Sequence, residues 1–234
     1  MEFGPRRYWV WYWVGQEKEK SGLSQVRTIL KKHAQIVHSA IAKQRQDPSI
    51  SAYEEKELEI LVNFLKQAAS EGIVIDLSAK VASLSANMSC LMIFGRKYMD
   101  EDLGDKGFKA LIQDILHIAA MPNFVEFFPF LRVFDLQRFT RRMKELAKLF
   151  DEFLERVIYE HVQYTEEQKQ AKDMVDTLMS IMQSKEAEFE FDRRHVKAIL
   201  LDLLIASMDT SSTTIKRTLI ELLRHPEVMK KIPE

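Results

Sequence analysis

Apolar residues in this chain mostly recur at intervals of three and four, and the longest such run stands near its end. In and just before Ile199-Leu-Leu-Asp-Leu-Leu-Ile-Ala-Ser-Met-Asp-Thr-Ser-Ser-Thr-Thr-Ile215, the residues Val196, Ile199, Leu200, Leu203 and Leu204 share one helical face. The run then meets a polar block, Ser207 to Thr214, broken only by Met208. A helix that is apolar nearly all round is expected to be buried, and hydroxyls and a carboxylate set into it are costly unless they have partners or a task. Asp192 supplies an N-cap, and Arg224-His225-Pro226 stops the helix.

The same spacing predicts a series of helices upstream. Ser24 to Gln46 places Val26, Ile29, Leu30, Ala34, Val37 and Ile41 on one stripe and ends at Asp47-Pro48. Glu54 to Ala69 carries a stripe of Leu58, Leu61, Val62 and Leu65, with Gly72 as a stop. Ile73-Val-Ile-Asp-Leu77 is extended in character, and Ser78 is placed to cap a helix that runs up to Gly95. Phe108 to Ala120, Asp135 to His161 and Met174 to Met182 complete the set. Asp135 to His161 exposes Arg138, Arg141, Arg142, Lys144, Glu145 and Lys148, a solvated face. Pro122 to Phe130 is dense in aromatics between prolines, which predicts a packed loop, and Gln163 to Lys172 is a polar surface linker. Trp9, Trp11 and Trp13 alternate with valine and tyrosine, a pattern that suits a strand as well as a helix. Helices of this number and length, joined by short connections, predict a predominantly all-α array.

Composition agrees with that picture. Only seven glycines and six prolines occur in 234 residues, and the net charge of −1 argues against non-specific binding to nucleic acid. The single cysteine, Cys90, excludes an intramolecular disulfide and favours a reducing compartment. No run approaches the roughly 20 apolar residues of a membrane span, so no transmembrane segment is expected. Tyr8 to Val14 is too short to be one, and no cleavage site follows it.

Several chemistries drop out. The chain has neither a P-loop nor a dinucleotide glycine fingerprint, no paired-histidine zinc motif, and too few cysteines for a zinc knuckle, so no metal ligands are assigned. The six histidines stand singly and read as surface or capping residues. The block from Ser207 to Thr214 keeps two readings. Its hydroxyls either bond back to the preceding turn, or the adjacent carboxylate and hydroxyl of Asp209 and Thr210 relay protons to a sequestered centre.

Ala206-Ser-Met-Asp-Thr-Ser-Ser-Thr-Thr214, followed by Glu221-Leu-Leu-Arg-His-Pro-Glu-Val-Met229, resembles the long distal helix and the next helix of cytochrome P-450 monooxygenases. The family pattern is Ala/Gly-Gly-x-Asp/Glu-Thr-Ser/Thr, then Glu-Leu-x-x-His-Pro. Upstream segments agree in order: Asp76-Leu-Ser78, Met88-Ser-Cys-Leu-Met-Ile-Phe-Gly-Arg-Lys-Tyr98, Pro122-Asn123, Asp135-Leu-Gln137, Phe150-Asp-Glu-Phe-Leu-Glu155 and His195-Val-Lys-Ala-Ile-Leu200. The resemblance is to the plant microsomal branch. It covers Tyr53 to the end, which divides the chain into a divergent segment, 1–52, and a partial cytochrome P-450 domain, 53–234.

The resemblance implies a haem-thiolate monooxygenase that oxidises a small lipophilic substrate with dioxygen and electrons from NADPH through a flavoprotein reductase. It implies that Asp209 and Thr210 deliver protons, that Ala206 and Ser207 border an oxygen groove where the helix widens locally, and that Trp9 belongs to the segment holding a haem propionate. The aromatic loop Phe124–Phe134 would belong to the substrate entrance. The family resides at the cytosolic face of the endoplasmic reticulum membrane; this sequence as it stands shows no anchor, which leaves a cytoplasmic location open. Several positions depart from the pattern. Ser207 replaces the groove glycine, Lys216-Arg217 follows Ile215, and no arginine follows Trp9 at the expected place. The family's Phe-x-x-Gly-x-Arg-x-Cys-x-Gly loop is not found, and Cys90, followed by Leu91-Met92, reads as a buried structural cysteine. The expectation is therefore a partial cytochrome P-450 fold around a long distal helix, without the haem-loop half and inactive alone. The alternative is a non-catalytic helical binding protein derived from one.

Overall fold

The computed structural model describes residues 23–44, 48–98, 102–103, 106–120, 139–163, 173–184 and 191–231. The described elements are α1 (Leu23–Gln44), α2 (Pro48–Glu71), α3 (Leu77–Phe94), β1 (Asp102–Leu103), β2 (Lys106–Gly107), α4 (Phe108–Ala120), α5 (Phe139–Gln163), α6 (Met174–Ser184), α7 (Arg193–Arg224) and the short α8 (Pro226–Met229). The described residues are all-α apart from one small antiparallel ribbon, in which Asp102 pairs with Gly107 and Leu103 with Lys106. The Trp9 region, the aromatic loop and most of the polar linker lie outside the described residues.

Sequence-local chemistry sets most boundaries. Asp76, not Ser78, caps α3: its side chain accepts from the Ala79 amide at 3.0 Å. A carboxylate two residues before Ser78 stands in extended conformation at the true cap position, so the serine falls inside the first turn. At the other end Gly95, at φ 70°, returns its amide to the Leu91 carbonyl and closes the helix. Asp192 caps α7 through a capping box, accepting from the Arg194 and His195 amides while His195 bonds back.

Tertiary packing chose the faces. Helix α7 lies along α3 for much of its length, and α1, α5 and α6 close around this pair. Val196, Ile199, Leu200, Leu201, Leu204 and Met208 are buried in one core with Cys90, Ile93 and Phe94 of α3. At the end of α3, Phe94, Tyr98, Phe108 and Phe153 form a cluster of edge and tilted ring contacts with centroids 5.0–6.0 Å apart. On α1 the buried face is His33, Ala40 and Gln44, with Ile36 and Val37 partly buried, whereas Ala34 and Ile41 face out. That face is rotated from the apolar stripe because Gln44 donates its amide to the Met92 carbonyl of α3. The α2 stripe is displaced too: Leu58 and Val62 are exposed, and the helix meets α3 through Glu57, Leu61, Leu65 and Ala68. Glu57 carries the contact, pairing with Lys97 and accepting from Asn87.

The expectation that no stretch is long and apolar enough to span a membrane needs correcting. Two helices, Leu77–Phe94 and Arg193–Arg224, each contain a window of sufficient length with mean hydropathy 1.3. These are α3 and α7, whose apolar faces pack on one another as core.

Candidate functional site

Most of the polar block of α7 is exposed: Asp209, Thr210, Ser211, Thr213 and Thr214 reach solvent, whereas Met208 and Ser212 do not. Leu201, Leu204, Met208 and Ser212 form the buried stripe, spaced three and four apart. Ala206, Asp209 and Thr210 lie on the opposite side and are exposed, and Ser207 is half-buried between the two faces. The expectation of costly burial therefore does not hold for Asp209 and Thr210. Burial holds for Ser212, whose hydroxyl donates to the Asp209 carbonyl at 3.2 Å.

The hydroxyls bond back into their own helix. Thr210 Oγ1 donates to the Ala206 carbonyl at 2.6 Å, Thr214 to Thr210 at 2.8 Å, Thr218 to Thr214 at 3.0 Å and Ser207 to Leu204 at 3.2 Å. Helix α7 is α-helical throughout Arg193–Arg224, so the local widening expected beside Ala206 and Ser207 is not seen. The regular back-bond from Thr210 to Ala206 fits a closed turn at that point. Ser85, on α3, donates to the Met208 carbonyl at 2.9 Å and approaches the Ser207 carbonyl at 3.5 Å. This contact fixes the roll of α7, and so the side on which Asp209 and Thr210 emerge. Sequence reasoning did not single out Ser85; its one signal is a pair of small polar residues, Ser85 and Ser89, one turn apart on the buried side of an apolar helix.

Charged groups brace the first half of α7. Lys197 is buried and holds Asp151 at 2.5 Å and Glu155 at 2.7 Å, while Arg193 reaches Glu155 at 2.7 Å. The hydrogen bond from Lys197 is the main reason Glu155 lies below the usual carboxylate range. His195 bonds Asp192 at 2.8 Å, and the ring of buried His33 meets it edge-on at 5.2 Å. Burial, assisted by His195, lowers His33 to about 4. The reading of every histidine as a surface or capping residue thus fails for His33. It also fails for His161, whose side chain is 11% exposed and bonded to Asp173.

A family model described as Cytochrome P450, here written P-450, matches residues 10–234. The chain belongs to the cytochrome P-450 family. It is 36% identical over 185 residues to cytochrome P-450 CYP736A12 of Panax ginseng, an alignment covering 76% of this chain and 36% of that protein. It is 30% identical over 174 residues to 3,9-dihydroxypterocarpan 6A-monooxygenase of Glycine max, covering 72% and 34%. The chain thus spans about a third of the length of these curated relatives. A solved zebra fish cytochrome P-450, described with progesterone, superposes with TM-score 0.65 at 21% identity over 86% of this chain and 44% of that one, which shows the fold. The family is a haem-iron family of monooxygenases, and the described residues fit the group on one side only. Ala206, Asp209 and Thr210 are open to solvent and leave room for a group on that side, whereas Cys90 is fully buried within α3 and presents no thiolate to it.

Proposed function

We propose that this chain forms the distal wall of a plant cytochrome P-450 that oxidises a small lipophilic substrate at the cytosolic face of the endoplasmic reticulum membrane, with electrons from NADPH through a flavoprotein reductase. The observation that carries this reading is the presentation of Ala206, Asp209 and Thr210 on the exposed side of α7, opposite the stripe buried against α3. Haem held by a cysteine thiolate supplies the oxidising chemistry when bound. Asp209 is exposed to solvent, and Thr210 is one residue further round the same exposed side. Because the Thr210 hydroxyl donates to the Ala206 carbonyl, it must turn away from that oxygen before it can hand a proton outward. Ala206 and Ser207 border that exit, and Trp9 is assigned by family pattern to the haem-propionate segment.

The single cysteine is buried in the core, so these 234 residues by themselves offer no thiolate and are expected to be inactive alone. The test is to express the chain, add haem, reduce it and add carbon monoxide. The expected spectrum lacks a thiolate-type Soret band, and its appearance would overturn the claim of inactivity. The second reading is a non-catalytic binding protein derived from the family. Sequencing the transcript past the Glu234 codon separates the two: an in-frame Phe-x-x-Gly-x-Arg-x-Cys-x-Gly loop supports the enzyme, and a stop codon supports the binding protein.

A further inference from the structure

Away from the α7 motif, the C-terminal turn of α5, the residue before α6 and the first turn of α6 bring three metal-ligating side chains together. Ligand atoms of His161, Asp173 and Asp176 lie within 4.8 Å of one another. His161 Nδ1 bonds the Val157 carbonyl at 2.7 Å, so that nitrogen carries a proton and Nε2 is the atom turned toward the carboxylates. A histidine oriented through its other nitrogen by a backbone carbonyl is the usual arrangement at protein metal sites. Asp173 is 5% exposed and stays in place because its Oδ1 accepts from the Asp176 amide at 2.9 Å. Its Oδ2 lies 2.7 Å from His161 Nε2.

We propose that His161, Asp173 and Asp176 form a binding site for a divalent transition metal, with zinc as the best match to one imidazole and two carboxylates. Zinc takes nitrogen at about 2.0–2.1 Å and carboxylate oxygen at about 2.0–2.2 Å, which sets two ligands on one ion roughly 3 Å apart. The His161–Asp173 pair, at 2.7 Å, must open by a few tenths of an ångström, and Asp176, within 4.8 Å of the other two, must turn in toward them. The ion takes the place of the proton between Nε2 and Oδ2, so binding releases a proton and weakens as pH falls. Asp176 supplies the third ligand and is half-buried, which leaves the remaining positions to water. The bland alternative is a His161–Asp173 ion pair that ties α5 to α6 and takes no metal.

The experiment uses the untagged full chain after chelator treatment, titrated with zinc chloride by calorimetry and with cobalt(II) as a spectroscopic probe. One ion per chain is expected, with visible cobalt bands of a low-coordinate nitrogen–oxygen site. Asp176→Asn keeps the His161–Asp173 pair, and its melting temperature is read with and without zinc so that any loss of metal-free stability is separated from loss of binding. It should weaken zinc binding by at least about tenfold, no less than the loss seen when only a partner of a ligand is removed. His161→Gln should abolish the cobalt spectrum. No binding by the parent chain at millimolar zinc, or equal binding by Asp176→Asn, would overturn the proposal and leave the ion pair as the explanation.

Discussion

Gly95 is the position where one added carbon should do the most damage. Its φ of 70° lies in the left-handed region, and a Cβ built there would stand 2.7 Å from Asp173 Oδ2. Gly72 is a natural control, with φ 66° and nothing within 4 Å of its Cβ position. Alanine at either site carries the left-handed penalty, about 1–2 kcal/mol. At Gly95 the carboxylate must also swing aside. It is held by His161 at 2.7 Å and by the Asp176 amide at 2.9 Å, so moving it breaks a charge-assisted bond in a buried place. That bond is worth about 1.5–3 kcal/mol. Gly95→Ala should therefore cost about 2.5–5 kcal/mol, and Gly72→Ala about 1–2 kcal/mol. Asparagine tolerates the left-handed conformation, so Gly95→Asn should retain most of the clash while Gly72→Asn is close to neutral. Urea unfolding followed by circular dichroism reads the midpoints, with the slope checked for constancy. Equal destabilisation of the two alanine variants, within about 0.5 kcal/mol, would refute the reasoning, because the backbone penalty would then be the whole effect.

Other substitutions test other parts of the argument. Leu200→Ala empties a fully buried position between α7 and its neighbours and should cost about 2–5 kcal/mol in the same assay. Asp192→Ala removes the capping box of α7 and should cost about 1 kcal/mol. Thr210→Ala should change stability by less than about 0.5 kcal/mol, since the side chain is exposed and bonded only to its own helix; a larger loss by thermal melting would contradict its placement. His33 has a folded pKa of about 4, below the ordinary histidine value of 6.5, so the unfolded chain binds the extra proton between those values. Its contribution is complete above pH 6.5 and is lost as pH falls toward 4, by roughly 3 kcal/mol in all. Unfolding free energies measured across that range should rise with pH, and His33→Gln should flatten the slope.

Helix existence and most ends were legible in the residues because they depend on local chemistry. Asp192, Gly95, Pro226 and the apolar spacing of α7 act through bonds and backbone preferences within a few residues. The motif around Asp209 and Thr210 was legible for the same reason, as an order of residue types along one helix. The orientation of each helix was not. Leu58 and Val62 are as apolar as Leu61 and Leu65, yet the pairing of Glu57 with Lys97 and Asn87 turns α2 so that the first two face out. The His161–Asp173–Asp176 set was equally invisible, because it joins two helices and depends on where α6 docks. The polar block itself shows the division most clearly. Its sequence determined which residues carry the carboxylate and hydroxyls, while the Ser85 contact and the buried Met208–Ser212 side decided that Asp209 and Thr210 face outward. A helix fixes the angles between its own side chains, but only contact with another element fixes its rotation about its axis.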